Sequence, residues 1–171
     1  ELHTTLKRYT SNPDPYIKEK RANNDLALNL YPEGEKHIKQ SLDPFGAALR
    51  IAIAGNIIDF AVSDNFNILM TIETALASDF AIDHSFQLKE SLKNAKSVLY
   101  LGDNAGEIVF DRLFIETLNH PNLTFVVRGG PVINDATMED AVYTGMTNSV
   151  NVISSEYDAP STIINKSGEL F

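Results

Sequence analysis

The chain has 171 residues, 43% of them hydrophobic, and a formal charge of −9, which is enough apolar content for one substantial core and too acidic for general affinity to a nucleic-acid backbone. It contains no cysteine, so disulfides and thiolate metal sites are excluded and any metal must be held by oxygen or imidazole. No stretch reaches the roughly 20 apolar residues of a membrane span, and residues 1–10 lack the zones of a signal peptide, so a cytoplasmic protein without membrane contacts is the expectation.

The first ninety-odd residues read as helical, with apolar positions returning every three or four residues. Asp14 and Pro15 mark a helix start that leads through Tyr16, Ile17, Leu26 and Leu30. A second helix begins near Pro44 and runs through Ala48, Ile51, Ala52, Ile58 and Phe60. It is apolar almost all round, as a helix buried on most sides would be, and this singles out its polar residues Asn56 and Asp59. Either they are hydrogen-bonded inside the core or they turn toward a polar site. Further helical stretches cover about Phe66 to Ala77 and Ser85 to Lys93.

From Ser97 the rhythm changes. Ser97–Leu101 (SVLYL), Leu123–Val127 (LTFVV) and Val150–Ser154 (VNVIS) read as buried strands, and Glu107–Leu118 and Thr137–Thr144 as the helices between them. That alternation predicts a parallel sheet with covering helices. A junction near Ala95 divides a helical portion, 1–94, from an α/β portion, 95–171, the two together forming one functional unit. No internal repeat or low-complexity segment is present.

The segment GDNAGEIVFD at 102–111 carries the most chemistry. It lies where a strand passes into a helix, and in open parallel sheets the ligand crevice lies beyond the carboxyl ends of the strands. Gly102 and Gly106 permit a tight turn and close backbone approach, and the amides of Ala105 and Gly106 at the start of the helix favour an anion. Asp103 beside Asn104 is a reasonable pair of oxygen ligands for magnesium or manganese. The plainer reading is turn chemistry, with Asp103 capping the helix. Glu107 and Asp111 sit four apart, a repulsive spacing on a helix, and are most simply solvated surface acids. The second strand runs into RGGPVINDAT at 128–137. Arg128 emerges at the same edge as Asp103 and could grip phosphate oxygens, and Asp135 could complete the metal's ligands. More plainly, Arg128 is a surface residue and Asn134–Asp135 caps the next helix.

Other chemistries fit less well. The loop lacks the third glycine of GxGxxG, and no acid follows a second strand where ribose recognition would need it, which ranks a nucleotide or S-adenosylmethionine binder low. A non-catalytic sugar-phosphate-binding module would keep the same anion pocket. There is no GxSxG elbow, the haloacid-type pair of aspartates is missing, and His3, His37, His84 and His120 lie outside the glycine loops. Water activated by a metal is the simpler route.

Together with DPYIKEKRANN at 14–24 and AGNIIDF at 54–60, these segments resemble the damage-control phosphatase family, metal-dependent phosphatases long known only as a domain of unknown function. The resemblance covers most of the chain, and the order of the four segments is its specific part. It implies a three-layer α/β/α Rossmann-like parallel sheet with an N-terminal helical bundle. It also implies a divalent metal (manganese, nickel, cobalt or magnesium) on Asp103, Asn104 and Asp135. The expected activity is hydrolysis of small phosphate esters, either sugar phosphates or damaged or surplus phosphometabolites. Asn56, Asp59 and Arg128 are then expected at the substrate, with Glu107 orienting water or supporting the ligands. Archaeal members carry a paired-cysteine motif ahead of the first matching helix and a lysine-containing, glycine-rich segment after the last matching strand. Neither is found here, and Lys166 is not assigned the role of that lysine. The expectation is an incomplete chain able to bind metal but weakly active or inactive.

Overall fold

The computed structural model describes residues 2–58 and 65–156. Five helices come first: α1 (Leu2–Thr10), α2 (Ile17–Gln40), α3 (Pro44–Ile58), α4 (Asn65–Ala77) and α5 (Ser85–Asn94). There follow β1 (Val98–Leu101), α6 (Glu107–Leu118), β2 (Leu123–Val127), α7 (Met138–Tyr143), α8 (Met146–Ser149) and β3 (Asn151–Ser154). Asp59 and Phe60 lie outside the described residues.

The first long helix begins later than expected, at Ile17. Asp14 does not begin it; its carboxylate accepts the Tyr16 amide at 3.2 Å in a turn that precedes α2. The helix runs on through Pro32, although proline lacks the amide an interior position needs. The stripe Ala27, Leu30, Gly34 and Ile38 is buried on both sides of Pro32, and tertiary burial of that stripe outweighs a single missing hydrogen bond.

The sheet is parallel, ordered β1-β2-β3. Val98 pairs with Leu123 and Tyr100 with Phe125, and Phe125 in turn pairs with Val152. Because side chains alternate along a strand, these residues share one face. They pack there with Ile108 and Ile115 of α6, Ala141 of α7 and Met146 of α8. Leu99 and Leu101 belong to the other face, where the remaining layer of the expected sandwich would lie, and are 47% and 52% exposed.

The helical half is built onto α6 rather than set beside it. Val109, Phe110, Leu113 and Phe114 join Ala27 and Leu30 of α2, Ile51 and Ala52 of α3 and Ile72 of α4 in one core. Close approach requires Gly55, where a Cβ would meet Phe110 at 3.0 Å. The fold is therefore mixed α/β, and its helical bundle delivers α2 and the end of α3 to the carboxyl edge of the sheet.

Candidate active site at the carboxyl edge of the sheet

Two loops leave this edge side by side, one after β1 and one after β2. The first starts at Gly102, whose amide donates to Val126 O at 2.9 Å. A Cβ at that position would stand 2.3 Å from the Phe125 ring, so only glycine lets the chain turn over the aromatic. The loops are then joined by backbone hydrogen bonds. Ala136 N donates to Asp103 O at 2.7 Å and Ala105 N to Asn134 O at 2.8 Å, while Arg128 N to Ala136 O at 2.9 Å closes the second loop on itself. This pairing sets Asn104 opposite Asp135 in an antiparallel bridge.

Arg128 holds the acidic side chains of both loops. Its Nε donates to Asp135 Oδ2 at 2.5 Å, and its terminal nitrogen lies 3.6 Å from Asp103 Oδ1. One guanidinium touching both carboxylates keeps them well within the ~10 Å beyond which a single ion could not reach both. The Arg128 side chain is only 12% exposed, against 52% for Asp103. It is not the surface residue of the plainer reading, and its first task is to hold carboxylates.

Neither aspartate is a helix cap. The residue ahead of α6 is Gly106, with no side-chain cap. The cap of α7 is a reciprocal pair between Thr137 and Asp140. Asn104 Nδ2 donates to Glu107 Oε2 at 3.3 Å, and Asn56 Nδ2, from the end of α3, donates to the same oxygen at 3.2 Å. Glu107 thus fixes the Asn104 amide with its nitrogen toward α6 and its carbonyl oxygen turned away. The helical half does reach this edge through Asn56.

The amides of Ala105 and Gly106 are a correction to the sequence reading. Ala105 N is spent on Asn134 O, and Gly106 N donates to Asn24 Oδ1 at 2.7 Å in a buried contact. Both donors serve the fold, so the phosphate cradle expected of this loop is not formed, and with it goes the main support for a nucleotide binder. Asp111 is likewise no surface acid. It is 4% exposed and accepts the Tyr100 hydroxyl at 2.6 Å. Burial pushes its carboxyl up to about 8 against the pull of that hydroxyl, with Glu107 and Asp103 adding repulsion. Burial and the Asp111 charge push the Tyr100 phenol upward in turn.

Sequence reasoning missed Asn24, Lys20, Asp140 and Ser155. Ser155, 3% exposed, follows β3, and its hydroxyl accepts the Gly129 amide at 3.1 Å, tying down the turn after Arg128. Lys20 and Asn24 did leave a signal. They fall four residues apart on the stripe that Ala27 and Leu30 continue, which is where a buried face carries polar residues only for a reason.

The donor set fits a hard divalent cation. Among the described residues no group of three or more histidine, aspartate or glutamate side chains is arranged to hold an ion. A metal here would therefore rest on Asp103, Asp135, the oriented amide oxygen of Asn104 and water. Such oxygen donors suit magnesium or manganese.

A parallel sheet whose carboxyl edge gathers two aspartates and an oriented asparagine amide defines an α/β protein with hard oxygen donors collected at one edge. Comparison with known proteins gives the family. A family model, damage-control phosphatase ARMT1-like domain, matches residues 1–169, and the chain belongs to that family. It is 36% identical to an uncharacterised protein of Methanocaldococcus jannaschii, over 99% of this chain and 58% of that protein. It is also 36% identical to a damage-control phosphatase of Pyrococcus horikoshii, over 87% of this chain and 52% of the relative. A damage-control phosphatase of Archaeoglobus fulgidus is 34% identical, over 82% and 50%. The crystal structure of a DUF89 family protein from Pyrococcus horikoshii superposes with a TM-score of 0.88 at 29% identity, covering 99% of this chain and 60% of that one. The chain thus spans little more than half the length of the curated relatives it matches. Among the described residues no helix is long and apolar enough to cross a membrane.

Proposed function

We propose that the chain forms the metal-binding part of a phosphatase that hydrolyses small phosphate esters, either sugar phosphates or damaged or surplus phosphometabolites, in the cytoplasm where such metabolites are made. The observation that supports this most is the joining of the two loops, which brings Asp103, Asn104 and Asp135 to one edge with the two aspartate carboxylates spanned by Arg128. Asp103 offers a half-exposed carboxylate to the crevice. Asn104 offers a carbonyl oxygen whose direction Glu107 sets. Arg128 restrains Asp135 and offsets the mutual repulsion of the acids, and its positive charge stands at the edge where phosphate oxygens would arrive. A bound divalent cation (manganese, nickel, cobalt or magnesium) would polarise the phosphoryl group and acidify a water. No nucleophilic side chain is needed.

The test is manganese binding by calorimetry for this chain, together with hydrolysis of an aryl phosphate and a sugar-phosphate panel across metals by the full-length protein, each with and without Asp103→Ala. The expected result is metal-stimulated hydrolysis that disappears together with metal binding in the variant. Full turnover in Asp103→Ala at saturating substrate would overturn the reading. Binding of sugar phosphate without turnover under any metal would instead indicate a sensor module.

A further inference from the structure

Asn24 is 1% exposed in the middle of α2, a place where leucine would pack at no polar cost. Its two polar ends are both used. Oδ1 accepts the Gly106 amide at 2.7 Å, and Nδ2 donates to Asp140 Oδ1 at 2.9 Å. Asp140 Oδ2 in turn accepts Lys20 Nζ at 3.0 Å, the Thr137 amide at 2.9 Å and the Thr137 hydroxyl at 2.8 Å. Lys20, itself 3% exposed, completes a second ion pair with Asp14 at 2.9 Å.

The positions joined are what give this network its meaning. Gly106 closes the loop that carries Asp103 and Asn104, and it holds a left-handed φ of 89°. Thr137 closes the loop that carries Asp135. The Asn24 side chain therefore holds the first loop directly at Gly106 and the second through Asp140, which holds Thr137. Backbone pairing fixes the loops to one another, and the network fixes the pair to the helical bundle. A residue buried in low dielectric with every polar end satisfied is rigid, and its loss leaves unpaired groups that must find new partners by moving.

We infer that Asn24, backed by Lys20 and Asp140, is a positioning residue that seats the paired ligand loops on the helical bundle and thereby sets the affinity of the site for a divalent cation. This rests on the assignment of Asp103, Asn104 and Asp135 as ligands. It also gives the DPYIKEKRANN segment a role: Asp14, Lys20 and Asn24 are its polar anchor points.

The experiment compares Asn24→Asp with the exchange Asn24→Asp plus Asp140→Asn. The single change keeps an acceptor for Gly106 but sets carboxylate against carboxylate; the exchange restores a donor–acceptor pair between the same positions. Manganese affinity is measured by calorimetry, and backbone amide shifts and Gly106 amide exchange are followed by NMR in the metal-free chain. The single variant should bind manganese about 10- to 100-fold more weakly, with moved shifts at 103–106 and 135–137 and faster Gly106 exchange, and the exchange variant should recover most of each. Leu30→Ala, on the same stripe, should lower the melting temperature and leave manganese affinity unchanged. If Asn24→Asp does not fold, Asn24→Ser carries the same comparison. Unmoved loop shifts and unchanged affinity in the single variant would overturn the inference, as would an equal loss of affinity in Leu30→Ala. A parent chain that binds no manganese would instead sink the ligand assignment, while the loop shifts and Gly106 exchange would still decide whether Asn24 positions the loops.

Discussion

Asp111 offers a prediction that depends on no metal. Its carboxyl is buried against Tyr100 and held at about 8, whereas an exposed aspartate titrates near 3.8. In the unfolded chain Asp111 is ionised across that whole interval; in the folded chain it keeps its proton. Folding therefore takes up a proton, so the contribution of this group to stability is fully present below the unfolded value and is lost as pH rises toward about 8. For one group the slope approaches 1.4 kcal/mol per pH unit. Asp111→Asn retains an acceptor for the Tyr100 hydroxyl and cannot ionise. Its stability relative to the parent should therefore increase by about 3 kcal/mol between about pH 5 and about pH 7, whatever fixed offset the new amide brings. Urea unfolding of both proteins at intervals across that range measures the difference and cancels every other titrating group. Parallel stability curves would show that Asp111 ionises in the folded chain as freely as in solution, and would remove the argument from burial.

Gly102→Ala drives a methyl group to 2.3 Å from the Phe125 ring, which stacks on Tyr100 at 5.5 Å; the ring must shift, and denaturant unfolding should show a loss of about 1–3 kcal/mol. Lys20→Met leaves Asp14 and Asp140 without their shared cation in a site where the lysine side chain is 4% exposed, and should cost about 3–5 kcal/mol near neutral pH. Burial opposes ionisation of Asp140, but Thr137 and Lys20 outweigh it and hold the carboxyl below its ordinary value. The stability this gives the parent is present above the ordinary aspartate range and fades as pH falls through the folded value, so the gap between Lys20→Met and the parent should narrow on acidification in urea titrations.

The parallel sheet was readable because its strands are short apolar runs with helices of the right period between them. Leu123–Val127 and Glu107–Leu118 match the expected bounds, since glycine, proline and asparagine punctuate their ends. The carboxyl edge was readable by the same logic, because a strand end followed by Gly-Asp-Asn can only project its polar residues outward. What escaped was everything decided by partners far away in the chain. Asn24 meets Asp140 across 116 positions, and nothing local to either says so. The amides of Ala105 and Gly106 look open in sequence because the groups that accept them, Asn134 O and Asn24 Oδ1, come from another loop and another helix. Asp111 looked like a surface acid because the helix period alone does not show that α6 is covered on both sides.

That double cover governs how the molecule comes apart. Val109, Phe110, Leu113 and Phe114 belong to the core shared with α2, α3 and α4, and Ile108 and Ile115 to the core beneath the sheet. No segment of α6 can fray without opening one of them, and neither core closes without it. The change of rhythm near residue 95 is then a boundary in pattern and not in cooperativity, and the expected outcome of scanning calorimetry is one transition for both halves, with no separate melting step for the helical bundle.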